Sequence, residues 1–444
     1  MKDFTKEISQ KEMASFLLPI FFIKLFEQVL GITNTAIVSH LLEPKVMVCI
    51  SACRIYPSIQ KNLMGMTATG FGVYVTRYIG MRDPDRLRQA VRQAVFGTAA
   101  LTLAGFCLLP ARRALFSLAN IPADIYGQAG KYLFWLFAGS GALVFQNLFL
   151  SMLYGLGESA FAGGVSAFGV LLQPFLTFFF VKGIGLEISA VPVALMVNRL
   201  ILAAVMLGYL LYKYPRLFGG AGRPFGGGIM WRELWECGFS RAVMLTIVWC
   251  GTLMIQRKVN RMEDVYISAY MYAILVEDLF LTPVYACEQA ASYVLAQNVG
   301  AGKVGLVRKY YWRLNCLSWK FCLFLLPAVW LFGTECVRLV AGQASEEAAV
   351  YAGWWLRICV FAFPALSIDQ IGRMSLQAVG DYRAMWALGI MEGILRTFLA
   401  VFVISDFHTL IGAFVCIFLC NGTAIGLCSD RAIKRLEKGA ASGV

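Results

Sequence analysis

Residues 212–234 read "YKYPRLFGGAGRPFGGGIMWREL", the longest polar interval inside the chain. The stretch is rich in glycine and proline and carries four basic residues, Lys213, Arg216, Arg223 and Arg232. That composition suits a flexible linker rather than a packed element. What flanks it decides the fold. Apolar runs recur from residue 16 to residue 428, most of them about 20 residues long, the length a helix needs to cross hydrocarbon. The chain is 59% hydrophobic and only 15% charged, where a soluble domain has about 25% charged residues. No succession of alternating strands of about ten residues suggests a barrel. The reading is an all-α polytopic membrane protein of twelve transmembrane helices, near 16–41, 46–77, 93–110, 131–154, 160–181, 188–211, 234–257, 265–298, 315–333, 351–377, 384–405 and 409–428. The linker then divides the chain into an N-terminal six-helix bundle (1–211), a cytoplasmic linker (212–233) and a C-terminal six-helix bundle (234–444).

Twelve spans place both termini on one side, and lysine and arginine choose which. The termini and the loops on their side hold 21 basic residues, the opposite loops nine, with Arg257, Lys258 and Arg261 as an exception on the poorer side. Both termini are expected in the cytoplasm, with the protein in the cytoplasmic (inner) membrane. The first apolar run is too long for a signal-peptide core and lacks a small-residue cleavage site, so it reads as a retained helix. The net charge of +13 is scattered between apolar spans, which makes it a topology signal and not a nucleic-acid surface. Of the 13 cysteines only Cys336 falls in an expected outer loop, and an odd, buried set argues against a disulfide framework.

The halves resemble each other. "GKYLFWLF…LYGLGES" (Gly130 to Ser159) parallels "GWWLRICV…LQAVGDY" (Gly353 to Tyr382) at an offset of 223, and "YVTRYIG" (Tyr74 to Gly80) parallels "YVLAQNVG" (Tyr293 to Gly300) at an offset near 220. Six helices per half make the repeats parallel, and paired repeats of this kind bind substrate near mid-membrane and expose it alternately. No Walker-type phosphate loop, Ser/His/Asp set, catalytic carboxylate pair or CxxC motif is present. A secondary transporter is therefore expected, with an integral-membrane enzyme as the reading of another class. No cofactor or metal site is expected. The two histidines, His40 and His408, have no acid or thiol cluster beside them.

The order of several pieces resembles the multidrug and toxic compound extrusion (MATE) transporters of the multidrug/oligosaccharidyl-lipid/polysaccharide exporter superfamily. They are Leu18–Pro19 with "TAIVSHLL" (Thr35 to Leu42), "ANIPADIYGQAGKYL" (Ala119 to Leu133), "LYGLGES" (Leu153 to Ser159) and "EDLFLTPVYACEQAASYVLAQNVGAGK" (Glu277 to Lys303). The resemblance implies two six-helix bundles forming a V. It also implies export of organic compounds, often cationic, in exchange for H⁺ or Na⁺. Asn34 stands where the family often has a coupling aspartate. Glu277 matches a family acid, and Asp369 lies about one turn from a family aspartate. The superfamily also contains flippases, so an exporter of anionic metabolites or lipid-linked substrates is the alternative. A monomer is expected, its partners the bilayer and a small organic substrate.

Intramembrane polar residues mark the candidate site, because hydrocarbon penalises them unless they face a cavity or a partner. Lys24 and Glu27 are three residues apart on the first helix, and Gln28, Asn34 and Thr35 extend the stripe. Either the pair neutralises itself, or Glu27 replaces the missing aspartate as a coupling group. Arg54 and Lys61 are seven apart on helix 2, and Glu277 and Glu288 eleven apart on helix 8, with Asp278, Tyr285 and the helix-bending Pro283 among them. The coupling candidates are thus Glu27, Asn34, Glu277, Glu288 and Asp369. The cavity candidates are Lys24, Gln28, Arg54, Lys61, Asp278 and Tyr285. Asp369 with Arg373 and Glu392 with Arg396 are i,i+4 pairs that also read as plain salt bridges. Leaving aside the end turns, nine basic residues and six acids fall inside the expected spans, an excess that favours anions in any cavity it lines.

Overall fold

The computed structural model describes residues 4–7, 10–41, 49, 53, 55–107, 109–110, 126–219, 228–341 and 346–441, and among these, twelve helical segments follow one another. In the first half these are α1 (Gln10–Leu41), α2 (Ile55–Gln60 running through a π turn, Lys61–Gly65, into Met66–Met81), α3 (Pro84–Cys107), α4 (Tyr126–Ala138 and Ser140–Gly155), α5 (Ser159–Phe178 ending in a π turn, Phe179–Gly183) and α6 (Ala190–Lys213). In the second half they are α7 (Gly228–Val259), α8 (Asp264–Phe280 and Thr282–Gly300), α9 (Val304–Ala341), α10 (Glu346–Cys359, a 3₁₀ turn Val360–Ala362, and Phe363–Val379), α11 (Tyr382–Phe398 ending in a π turn, Leu399–Val403) and α12 (Phe407–Ala441). Among the described residues nine of these are long and apolar enough to cross a membrane, and α8, bent by 54°, makes ten. α1 and α2, which carry Lys24, Glu27 and Lys61, are not among those that meet this test.

The chain packs as two compact units, Met1–Ala242 and Val243–Val444. The expected linker 212–233 is described only to residue 219 and from 228, and by packing the first half of α7 goes with the first unit. Phe71 of α2 meets Trp235 edge to face, and the Cys237 thiol donates to the Gly70 carbonyl at 3.3 Å.

Each unit repeats the same helix pairings. α4 packs on α2, α3 and α6; α10 packs on α8, α9 and α12. α1 lies along α5, and the second unit sets α7 along α11, where Gly389 and Gly393 abut Met244 and Ile247. The irregularities recur too. α4 breaks at Gly139 and α10 at the 3₁₀ turn; α5 and α11 both end in π turns. Arg82 after α2 and Gly302 after α8 adopt left-handed backbone, as do Gly157 after α4 and Gly380 after α10. Glycine pays no steric penalty there, and φ of +78° and +92° reverses the chain tightly into the next helix.

Two expectations need correction. The bend in α8 comes at Leu281, one residue before Thr282 and Pro283 open the next helix, so the eleven-residue spacing of Glu277 and Glu288 does not run along one straight face. Lys61 opens a π turn, and Arg54 lies outside the described residues, so the expected Arg54–Lys61 face is not described. Cys336 lies within α9, which runs on to Ala341, and all thirteen cysteines are free.

Candidate functional site

In the first unit, Lys24 is half-buried on α1 and Lys61 is exposed at the start of its π turn. Glu27, Gln28 and Asn34 lie on α1 with side chains outside the described residues, and Arg54 is outside them altogether. The polar stripe of helix 1 is therefore placed only at Lys24.

The second unit concentrates the acids. Glu277 sits near the end of the first segment of α8, 6% exposed. Trp355 of α10, fully buried, donates its indole N–H to a Glu277 carboxylate oxygen at 2.6 Å. Around that contact Tyr270, Phe407 and Phe414 stand with ring centroids 4.7–6.1 Å from Trp355. Among the described residues no lysine, arginine or histidine forms an ion pair with Glu277. Among the described residues one N–H donor and an aromatic box surround this carboxyl group, and burying a charge without a partner is costly. Next along the chain, Asp278 accepts from the Tyr285 hydroxyl at 2.9 Å, across the bend. Glu288, also buried, lies two turns into the second segment of α8.

Asp369 belongs to a different arrangement. Arg373 donates to it from Nε at 3.0 Å and from Nη2 at 2.7 Å. The same Nη2 reaches Glu392 of α11, whose other oxygen accepts from Arg396 Nε at 2.9 Å and Nη2 at 2.7 Å. Two intrahelical pairs are thereby joined into one alternating chain of four charges, neutral overall, between α10 and α11. Asp369, Arg373 and Glu392 are at most 5% exposed. Arg373 also points Nη1 at the Met244 sulfur, 3.7 Å away on α7.

Outside the spans, Glu158 in the turn between α4 and α5 accepts from Lys213 Nζ at 2.7 Å, Tyr214 at 2.6 Å and Tyr209 at 3.0 Å. Burial alone would push its carboxyl up; the hydrogen bonds from Lys213, Tyr214 and Tyr209 outweigh it and hold the group below its ordinary value. The aligned residue of the second half, Asp381, instead caps α11 by accepting from the Ala384 N–H at 3.2 Å.

Sequence reasoning missed Trp355 as the partner of Glu277 and the link from Arg373 to Glu392. Both join residues of separate helices, and neither leaves a mark in sequence spacing. Among the described residues no group of three or more His, Cys, Asp or Glu side chains could hold a metal ion.

Helical segments paired alike in the two units, nine or ten of them long and apolar enough to cross a membrane among the described residues, define a polytopic membrane protein with an internal repeat and buried acids in its second unit. The family comparison agrees: the MatE family model matches residues 19–179 and 241–402, once in each half. The chain belongs to the MatE family. Solved structures share the fold across nearly the whole chain. One is the outward-facing conformation of a multidrug resistance MATE family transporter of the MOP superfamily (15% identity, 99% of each chain covered, TM-score 0.89). Another is MATE in the bent conformation (15% identity, 99% of each chain, TM-score 0.88). A third is a MOP superfamily transporter from Pyrococcus furiosus for which reverse polarity of the binding pocket suggests a different function (15% identity, 98% of this chain and 99% of that chain, TM-score 0.87). No curated protein matches by sequence. The chain thus has the MATE fold of twelve transmembrane helices in two repeats.

Proposed function

We propose that this transporter exports organic compounds across the cytoplasmic membrane by alternating access, as a monomer with both termini cytoplasmic, in exchange for protons taken up at Glu277. One observation carries the reading: Glu277 is buried in a membrane-spanning helix, accepts one indole N–H, and pairs with no basic residue among those described. Asn34 cannot titrate, Asp369 is already held by Arg373, and the Glu27 side chain lies outside the described residues, so the described candidates for the exchange are those of α8. A proton suits this site better than Na⁺, because its walls supply aromatic rings and an N–H where a hard cation needs several oxygens. Proteoliposomes loaded with a fluorescent organic dye test it. An imposed pH gradient should drive efflux, a Na⁺ gradient alone should not, and Glu277→Gln should reduce pH-driven efflux at least tenfold while the protein stays folded. Full activity of Glu277→Gln, or transport driven by Na⁺ alone, would defeat the reading.

A second reading concerns substrate charge. Within the six expected spans of the first half Lys24, Arg54, Lys61 and Arg199 outnumber a single acid, Glu27. Such a surplus selects anionic or zwitterionic substrates over simple cations, and one relative of the same fold is known for a binding pocket of reverse polarity. Matched anionic and cationic dyes compared in wild type and Lys61→Gln distinguish the two. A wild-type preference for the cation that Lys61→Gln leaves unchanged would sink it.

A further inference from the structure

Arg257, Lys258 and Arg261 crowd the end of α7 on the side of the chain where basic residues are otherwise scarce, and the transport reading gives them no task. Arg257 and Arg261 are exposed and Lys258 half-exposed; among the described residues none of the three forms an ion pair. The acids that follow, Glu263 and Asp264, open α8 and bond to none of them, while Asp406 is occupied by the Thr409 N–H at 2.9 Å.

Below this cluster lies a groove of about 420 Å³ between α7 and α11. Ile247, Cys250 and Gly251 form one wall and Gly393, Thr397 and Phe398 the other. Two glycines close its floor by letting the helices touch: a Cβ on Gly251 would stand 2.9 Å from Arg396 Cβ, and one on Gly393 2.7 Å from Ile247 Cγ2. Its rim is apolar and open, with Ile394 65% and Phe402 75% exposed. The volume is in the range of about 300–1,000 Å³ that small ligands occupy. Arg257 and Lys258 stand seven residues beyond Cys250 and Gly251 on one unbroken helix. Seven residues are two turns, so both lie over the groove face, about 10 Å further along the axis. Helical side chains lean back toward the N-terminus, which brings both cations down toward the open end of the groove.

We infer that this groove holds an anionic phospholipid of the leaflet that meets the 257–264 turn, one acyl chain lying between α7 and α11 and the phosphate on Arg257 and Lys258. An apolar slot open to hydrocarbon under a basic pair in the last helical turn complements a lipid at both ends. A soluble anion would find no use for the slot, and a neutral lipid none for the cations.

Native mass spectrometry of the purified full-length protein in detergent, titrated with palmitoyl-oleoyl phosphatidylglycerol or the matching phosphatidylcholine, tests the inference. Wild type should retain phosphatidylglycerol at least fivefold better. Arg257→Gln combined with Lys258→Gln should bring phosphatidylglycerol down to the phosphatidylcholine level. Cys250→Trp, which fills the groove, should lower retention of both at least fivefold, and Thr397→Phe serves if the tryptophan disturbs folding. Equal retention of the two lipids by wild type overturns the site. So does an unchanged preference in the Arg257/Lys258 double variant, or undiminished retention in both groove-filling variants.

Discussion

Arg373 holds two carboxylates at once, and much of the second unit's charge balance rests on it. Buried ion pairs gain little over apolar packing, but removing one partner strands the other and costs about 3–5 kcal/mol. Arg373→Met should therefore destabilise the detergent-purified protein by about that much, since Asp369 and Glu392 would share only Arg396. Adding Asp369→Asn leaves the neutral Glu392–Arg396 pair and should recover at least half of the loss in thermal midpoint. Equal midpoints for single and double variants would mean that the four charges do not act as a chain. Glu158 gives a prediction with pH. Its folded carboxyl is held below its ordinary value, so its contribution is complete above the unfolded value of about 4.3 and fades as pH falls through the folded value. Glu158→Gln should cost about 2 kcal/mol at neutral pH, the worth of hydrogen bonds to a charged group, and little in strong acid. A midpoint difference that persists unchanged into acid would contradict the assignment. At this scale the sequence shows what lies within one helix: the i,i+4 spacing reveals Asp369–Arg373 and Glu392–Arg396. It cannot show that Arg373 reaches Glu392, or that Trp355, 78 residues from Glu277, supplies the one N–H that reaches it among the described residues, because both depend on how α10 meets α8 and α11.

Helices in lipid gain nothing from excluding apolar surface from water, so they associate where small residues allow close approach. α11 meets α7 at Gly389 and Gly393, one turn apart. A Cβ on Gly389 would stand 2.7 Å from the Met244 side chain and one on Gly393 2.7 Å from Ile247 Cγ2, with the Ile247 carbonyl at 3.2 Å. Gly393→Val should push the helices apart and lower the thermal midpoint by the equivalent of about 2 kcal/mol, within the cost of overpacking. Gly412 of α12 has nothing within 4 Å of the same atom. Gly412→Ala should leave stability unchanged or raise it by up to about 1 kcal/mol through helix propensity. The reverse order of these two effects would show that α7 and α11 are not in contact through Gly393. Elements were more legible than contacts. Every expected span corresponds to a helical segment, because a run of about 20 apolar residues has no other stable form in a bilayer. The ends were less so: α9 extends well beyond the expected 315–333, since its amphipathic last turns carry Glu335 and Arg338 and do not read as apolar. Pro283 marks the bend in α8, whereas the π turns of α2, α5 and α11 have no proline and leave no comparable mark.

The repeat is legible at the scale of the whole molecule because its landmarks are glycines with a conformational task. The offset of 223 that aligns Gly157 with Gly380 joins two residues of positive φ, and the family matches begin 222 residues apart, at 19 and 241. The chain's division is less simple than its repeat. A cut after residue 222 would leave all of α7 on the second fragment, yet its first half packs within the unit Met1–Ala242. That packing is specific. Tyr74 donates its hydroxyl to the Met230 carbonyl at 3.1 Å, Phe71 meets Trp235 with ring centroids 5.1 Å apart, and Gly70 lets the α7 backbone close in. A Cβ on Gly70 would lie 2.7 Å from both the Cys237 carbonyl oxygen and the Gly238 Cα, neither of which can rotate away. Fragments 1–222 and 223–444, coexpressed in one membrane, should therefore assemble: a tag on the first should recover the second in near-equal amount after detergent extraction. Gly70→Leu in the first fragment should cut that recovery at least tenfold while the fragment itself still reaches the membrane. In the uncut chain the same substitution should be milder, because the 212–233 stretch keeps α7 at high effective concentration beside α2. If the fragments fail to copurify although both are inserted, or if Gly70→Leu has no effect on their recovery, α7 does not tie the halves together in this way.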